Sequence, residues 1–121
     1  MIDIKYRPNG REYPFFDCYG LVKYMYKKEQ NKEIVDFDYK DPDDPRNEKY
    51  FIESMNSSKW VECEPCKGAT VALRVNGHVS HCGYMINDKE FMHIMNATGV
   101  VRAKVNSVKW KNRVVGFYRY D

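Results

Sequence analysis

The first regular pattern along the chain is an apolar stripe with helical spacing that begins at Cys18. Its members recur at i, i+3, i+4, i+7 and i+8, which places them on one face of an α-helix: Cys18, Leu21, Val22, Met25 and Tyr26. Asp17 is a residue type that caps helix N-termini, and Lys27 and Lys28 suit the negative C-terminal end of the helix dipole. The pattern predicts an amphipathic helix that starts at Cys18.

The periodicity changes from helical to alternating in the second half of the chain. The stretch from Asp36 to Asn47 is rich in Asp and contains two prolines, which predicts a solvated loop, and a weaker helical pattern covers Glu48 to Met55. Five segments then alternate with period two: Ala69–Val75, Val79–Ile86, Glu90–Met95, Val100–Val105 and Val114–Tyr120. Helices followed by a strand meander indicate an α+β domain, with an antiparallel sheet of about five strands packed on the first helix.

Length, charge and hydropathy argue against a nucleic-acid-binding protein and against a membrane-spanning one. The 121 residues suit a single domain spanning residues 1–121, and a net charge of +3 at pH 7, from 20 basic and 17 acidic residues, argues against a nucleic-acid-binding surface. No apolar run approaches the ~20 residues needed to cross a bilayer, so we expect no membrane span. The N-terminus lacks the apolar core of a signal peptide. We therefore expect synthesis in the cytoplasm, with the four cysteines as thiols or metal ligands.

One cysteine and two histidines form the strongest candidate for chemistry. Cys18 falls in the first turn of the predicted helix, where free N–H groups and the helix dipole favour the nucleophilic thiolate. His81 and His93 flank the turn-like segment Asn87–Lys89, so they face the same side of a hairpin if its loop has an odd number of residues. In that arrangement His81 would act as the general base and His93 would orient its imidazole. The alternative for each residue is an ordinary place in the core or on the surface.

A competing site uses other cysteines. Cys63 and Cys66 form a C-x2-C pair, and His78 and His81 follow as H-x2-H, a set of four ligands that zinc accepts in tetrahedral geometry. The histidine spacing is tighter than usual, and the alternative for the cysteine pair is two thiols in a surface loop. The loop aspartates lack the ligand spacing and the glycine of a calcium site. A zinc-bound His81 would not serve as a base, so the zinc and nucleophile hypotheses exclude each other.

Three sequence blocks surround the candidate nucleophile and the two histidines: Asp17–Val22, His81–Ile86 and the segment around His93. Together they resemble the NlpC family of papain-like cell-wall cysteine peptidases. Asp17–Val22 (DCYGLV) is similar to the family's nucleophile block, His81–Ile86 (HCGYMI) to the block with the base, and the segment around His93 to the one with the third polar residue. The twelve-residue interval between the two histidines also agrees with the family pattern. The resemblance implies a papain-like α+β domain with a Cys18, His81 and His93 triad that needs no cofactor.

The same resemblance implies roles around the triad. Tyr6 matches a segment that helps to line the oxyanion side of the site, and Asp17 belongs to the block that contacts substrate. Tyr19 stands where many members have a serine that helps to recognise the free amine of a stem peptide. This departure weakens the expectation of the same stem-peptide specificity.

A finer resemblance concerns the biological setting. The aromatic residue after Cys18, the run Leu21–Lys27 and Trp110 are similar to phage tail assembly proteins of the lambda K type. This implies action at the tail tip, with phage tail proteins as partners and delivery in the virion. The resemblance to the NlpC family implies hydrolysis of γ-D-glutamyl–diamino acid bonds in peptidoglycan stem peptides. A non-catalytic tail assembly or binding module on the same fold, and an acyltransferase with the same cysteine–histidine chemistry, are the alternatives.

Overall fold

The computed structural model describes residues 3–36, 44–56 and 59–121. Three two-residue strands come first: β1 (Lys5–Tyr6), β2 (Arg11–Glu12) and β3 (Phe15–Phe16). Two helices follow: α1 (Cys18–Gln30) and α2 (Glu48–Met55). The remaining strands are β4 (Trp60–Glu62), β5 (Thr70–Val75), β6 (His78–Met85), β7 (Glu90–Met95), β8 (Gly99–Lys104) and β9 (Val114–Tyr120). Within the described residues, no helix is long and apolar enough to cross a membrane.

Helix α1 begins where the capping pattern predicts. The Asp17 side chain accepts a hydrogen bond from the backbone N–H of Gly20 at 2.9 Å, as an N-cap does. At the other end, Asn31 adopts a left-handed conformation with φ of 53°, and its N–H reaches the carbonyl oxygens of Tyr26 and Lys27. All the residues of the predicted stripe are buried: Cys18, Leu21, Val22, Met25 and Tyr26. The helix prediction is confirmed.

The predicted loop before the second helix is described only in part. Asp44 caps a short 3₁₀ turn at Pro45–Asn47 through its side chain, and α2 follows with the predicted bounds, Glu48–Met55. Asp41 and Asp43, which the calcium alternative would use, lie outside the described residues. The loop prediction is therefore tested only at its C-terminal end, where the chain turns directly into α2.

The main sheet contains six antiparallel strands in the order β4-β9-β5-β6-β7-β8. Strands β5 to β9 agree with the five predicted segments to within one residue at each end, so the α+β prediction is confirmed. The sequence pattern missed β4, because three residues are too few to show alternation. It also missed the small sheet β1-β3-β2, whose strands have two residues each.

The side chains of the main sheet are divided between two apolar layers by strand alternation. One layer packs on α1, where the Tyr26 ring makes edge contacts with Trp60 and Tyr84 at centroid distances of 5.8 and 5.4 Å. The other layer surrounds the buried Trp110, which lies between β8 and β9 in the sequence and packs with Leu73 and Phe91. Helix α1 contacts both β6 and β7, the two strands that carry the histidines.

The start of α1 is pressed against the N-terminal segment. A Cβ atom added to Gly20 would lie 2.1 Å from the carbonyl oxygen of Gly10, far inside any normal contact distance. Only a glycine therefore allows the helix start to approach the chain around β2 this closely. The contact helps to set the position of Cys18 relative to β1.

We expect Gly20→Ala to destabilise the protein by about 1–3 kcal/mol, because the added methyl group meets a backbone oxygen. This reverses the usual effect, since Gly→Ala inside a helix ordinarily stabilises by roughly 1 kcal/mol. Urea unfolding gives the measurement. Glu29→Ala, at an exposed position of the same helix, is the control and should change the free energy of unfolding by less than about 0.5 kcal/mol. A more stable Gly20→Ala protein would contradict the close approach.

Candidate active site

Cys18 is the first residue of α1 and borders a cleft of about 240 Å³. Its side chain is 6% exposed. The cleft wall includes Tyr6 from β1 and His81 from β6, and is completed by residues from the strand ends: Val75, Ser80, Ile94, Met95, Asn96 and Ala97. Because Cys18 occupies the first helical turn, the positive end of the helix dipole acts on its sulfur.

His81 on β6 and His93 on β7 contact each other across the hairpin formed by the two strands. Nε2 of His81 lies 2.8 Å from Nδ1 of His93, and both side chains are buried. The N–H of Ile86 donates to the carbonyl oxygen of Glu90 at 2.9 Å, which leaves a three-residue loop. The odd loop length confirms the expectation that both histidines lie on one side of the hairpin.

His93 is an uncharged imidazole at neutral pH. Burial lowers its pKa to about 3, and the nearby charges of His81 and Lys109 act in the same direction. The contact between Nε2 of His81 and Nδ1 of His93 is a hydrogen bond whose direction depends on the tautomers of the two rings, and it leaves Nδ1 of His81 for other partners.

Two neighbours favour the thiolate form of Cys18. The larger effect is a hydrogen bond from the Cys82 thiol, and the second is the hydrogen bond and charge interaction with His81. Burial and the Asp17 carboxylate oppose them, yet the pKa of Cys18 falls from 9.0 to about 6. The pKa of Cys82 moves well above its usual value, because Cys82 donates to Cys18 and is itself buried. Cys18 is therefore the thiol of this pair that ionises at neutral pH.

Asp17, directly before Cys18, is held by hydrogen bonds and an ion pair. Its side chain has no solvent exposure and accepts hydrogen bonds from the backbone N–H groups of Asn9 and Gly20, each at 2.9 Å. The Arg11 guanidinium makes an ion pair with it at 2.8 Å and extends to Asp36. These contacts make Asp17 a structural cap, and its substrate-binding role stays a prediction.

The family follows from comparison with known proteins. The sequence profile of the NlpC/P60 family matches residues 3–119, nearly the whole chain. This chain belongs to the NlpC/P60 family. No curated protein sequence matches it.

Two solved structures share the NlpC/P60 fold. The NlpC/p60 domain of peptidoglycan hydrolase SagA is 15% identical with a TM-score of 0.62, over 98% of this chain and 88% of that one. An NLP/P60-family protein similar to a lipoprotein, from Staphylococcus aureus subsp. aureus Mu50, is 16% identical with a TM-score of 0.65. The match covers 98% of this chain but 37% of the staphylococcal protein, so this chain spans little more than a third of its length. The papain-like fold implied by the sequence blocks is confirmed.

The tyrosines suggested by the NlpC/P60 resemblance lie in different surroundings. Tyr6 borders the cleft beside Cys18, as its expected place near the oxyanion requires. Tyr19 is buried, its hydroxyl donates to the carbonyl oxygen of Val35, and its ring borders a second cavity together with Phe51. Neither role is tested by this placement, but Tyr6 is the better positioned of the two for contact with substrate.

The four residues of the zinc alternative are not brought together as a metal-binding group. Cys63 and Cys66 are free thiols in the turn before β5, half-buried and exposed respectively. His78 is partly exposed beside Glu48, and the imidazole of His81 is already engaged with Cys18 and His93. Across residues 3–36, 44–56 and 59–121, no three His, Cys, Asp or Glu side chains lie close enough to hold a metal ion. The four proposed ligands do not converge because the fold uses His81 elsewhere.

Trp110 supports the histidine pair in a way that sequence patterns did not indicate. The ring lies nearly parallel to His81 at a centroid distance of 6.0 Å and meets His93 edge-on at 5.2 Å. It is 2% exposed, and the cations of Lys109 and Arg113 lie 5.2 and 5.7 Å from its centroid. Its contact with both histidines spans too much sequence to leave a local signal.

Gly83 allows β7 to approach the histidine strand. A Cβ at this position would lie 2.6 Å from the Phe91 ring, 3.0 Å from the carbonyl oxygen of Met92 and 3.4 Å from the Cβ of His93. The glycine two residues after His81 belongs to the block that resembles the family's base motif. The position of a glycine two residues after His81 was therefore the sequence signal for this close approach of the two strands.

We expect Cys18 to react with iodoacetamide at a rate that rises with pH around 6 and levels off above it, since the thiolate is the reactive form. A thiol with the ordinary pKa of 9.0 would still be gaining reactivity far above neutrality. Peptide mass spectrometry follows each cysteine separately, and the exposed Cys66 serves as the internal comparison. The shape of the profile is diagnostic, because burial slows the absolute rate. A Cys18 profile parallel to that of Cys66 would contradict the thiolate assignment.

Proposed function

We propose that this protein is a cysteine peptidase that hydrolyses amide bonds in peptidoglycan stem peptides. The observation that carries the proposal is the placement of Cys18 at a helix start, against the His81–His93 pair and beside a cleft. Membership of the NlpC/P60 family supports it, and so does the fold shared with the domain of a peptidoglycan hydrolase.

The proposed reaction proceeds through an acyl-thioester. The Cys18 thiolate attacks the carbonyl carbon of the amide, and the N–H groups of the first helical turn stabilise the oxyanion. His81, as general base, takes the proton of the Cys18 thiol, gives it to the leaving amine, and then takes a proton from the water that hydrolyses the thioester. His93 stays uncharged and holds the His81 ring at Nε2. Tyr6 contributes to the oxyanion side of the cleft.

The substrate bond proposed is the γ-D-glutamyl–diamino acid bond of the stem peptide. Support comes from the sequence blocks around Cys18 and His81, which resemble those of enzymes with this specificity. The replacement of the usual serine by a buried Tyr19 leaves the recognition of a free stem-peptide amine to other groups on the cleft wall. Mass analysis of digested peptidoglycan tests the bond directly, because cleavage there leaves disaccharide peptides ending in D-glutamate.

We further propose that the protein acts in the tail of a phage, where it would assist local degradation of the host cell wall. The support is the similarity of Leu21–Lys27 and of Trp110 to tail assembly proteins of the lambda K type. Delivery by a virion would bring the enzyme to the wall. Detection of the chain in purified virions tests the location, and its absence from intact tails would contradict it.

We expect Cys18→Ala to abolish the release of muropeptides from purified peptidoglycan, because no nucleophile remains. His81→Ala should lower the rate by about 10²–10⁴-fold or more through loss of the general base. Cys66→Ala, a cysteine substitution at the exposed turn, is the matched control and should keep full activity. Circular dichroism confirms that each variant is folded. Continued lysis by Cys18→Ala would overturn the mechanism, and an inactive but folded wild-type protein would favour a non-catalytic tail module.

A further inference from the structure

Trp110, in the connection between β8 and β9, contacts both imidazoles of the candidate triad. The plane of its indole lies 20° from the plane of the His81 ring, at a centroid distance of 6.0 Å. The indole lies 85° from the plane of the His93 ring, at 5.2 Å. The planes of the two imidazoles are themselves 77° apart. A single flat ring therefore contacts both histidines in the two orientations that their hydrogen bond joins.

The chain alone does not set the planes of these imidazoles. The torsion χ2 of a histidine has a broad, roughly two-fold preference, so the rotamer leaves the ring plane loosely defined. The 2.8 Å contact between Nε2 of His81 and Nδ1 of His93 joins one pair of atoms and permits rotation about the line through them. Such a rotation would turn Nδ1 of His81 in a different direction. An adjoining flat surface is therefore needed to hold both rings.

The indole of Trp110 is itself held in place. Its side chain is 2% exposed and packs with Leu73 and Phe91 in one apolar layer. The Trp110 N–H donates to the carbonyl oxygen of Ser107 at 3.1 Å, and the Arg113 N–H donates to the carbonyl oxygen of Trp110 at 2.8 Å. A ring that is fixed by its neighbours and its backbone can fix the rings that it contacts.

Trp110 and His93 also line a second cleft, of about 430 Å³, which is formed by β7, β8 and the connection after β8. The His93 side chain is nevertheless buried, at 2% exposure. Because the indole contacts the imidazole at this wall, a smaller side chain at position 110 would let water from the cleft reach the histidine pair.

We propose that Trp110 is a positioning residue, which fixes the planes of the His81 and His93 rings and keeps water from the contact between them. The inference rests on the proposed function only where it takes His81 as the base and His93 as its orienting partner. Rings at centroid distances of about 4.5–7 Å attract each other in stacked and edge-on arrangements, so the indole favours the observed planes over others.

The electrostatics of His93 provide a readout. Burial is the main cause of its low pKa, about 3, and the charges of His81 on β6 and Lys109 in the connection act in the same direction. The second cleft adds charged side chains from β7 and β8: Glu90, Arg102 and Lys104. Water entering beside His93 would reduce the effect of burial and raise its pKa toward the ordinary value of 6.5.

The test replaces the indole with a smaller ring and with an apolar side chain that has no ring. The histidine ring protons are titrated by NMR in the wild-type protein, Trp110→Phe and Trp110→Leu, with the exposed His78 as internal reference. We expect Trp110→Leu to raise the midpoint of His93 by at least about 1 pH unit and to remove the slowly exchanging N–H signal of the hydrogen bond between the rings. Trp110→Phe, which keeps a flat ring, should remain closer to the wild-type protein.

Trp60→Leu is the matched control, because it removes a second buried tryptophan, from the other apolar layer. Trp60 packs edge-on against Tyr26 and Tyr120. Its loss should lower the free energy of unfolding without moving the His93 midpoint. A folded Trp110→Leu protein with the wild-type midpoint and N–H signal would overturn the proposal, and so would equal changes in Trp60→Leu.

Turnover of muropeptides separates this inference from the proposed function. If the proposed substrate is correct, Trp110→Leu should lower kcat by about 10–100-fold with little change in KM, because misplaced rings slow the chemical step. An unchanged kcat would overturn the positioning role. A wild-type protein that leaves peptidoglycan intact, with altered histidines in Trp110→Leu, would contradict the proposed function while supporting the role of Trp110.

A further measurement needs no substitution, in case Trp110→Leu fails to fold. Nuclear Overhauser effects in the wild-type protein should connect the indole protons of Trp110 to the ring protons of both His81 and His93. Their absence would remove the contacts on which the proposal rests and overturn it.

Discussion

The carboxylate of Asp17 has no exposure to solvent, so the protein itself must supply the hydrogen bonds and the counter-charge that water would provide. Asn9 and Arg11 of the N-terminal segment and Gly20 of α1 supply them. One buried carboxylate thereby joins the N-terminal segment to the start of α1. Removing a partner of a buried ion pair costs about 3–5 kcal/mol, a large part of the roughly 5–15 kcal/mol that stabilises a domain.

This constraint reaches the proposed chemistry because Cys18 is the next residue. The charge of Asp17 alone disfavours a thiolate beside it, and burial acts the same way. The hydrogen bond from Cys82 and the contact with His81 outweigh both effects. The low pKa of His93 keeps a second positive charge out of the pair, so His93 orients His81 without competing for its proton. A buried, ionised nucleophile thus depends on groups from α1, β6 and β7 together.

Local periodicity was sufficient for the large elements. Helix α1 and strands β5 to β9 were predicted because an apolar stripe or an alternation persists over six or more residues in each. Strand β4 and the strands of the N-terminal sheet are too short for any period to be read, so only their pairing partners reveal them. The shared face of His81 and His93 was also predictable, since it follows from the parity of one short loop.

By itself, the sequence determined the order of elements, the helix cap at Asp17 and the three residues of the candidate triad. It did not decide whether His81 would join Cys18 or a zinc site, because both sets have acceptable spacing. Tertiary structure decided that question by engaging His81 with Cys18 and His93. It also brought Trp110 against both histidines. The physical reason is that periodicity encodes contacts between near neighbours, whereas contacts between distant segments depend on how the packed layers fit together.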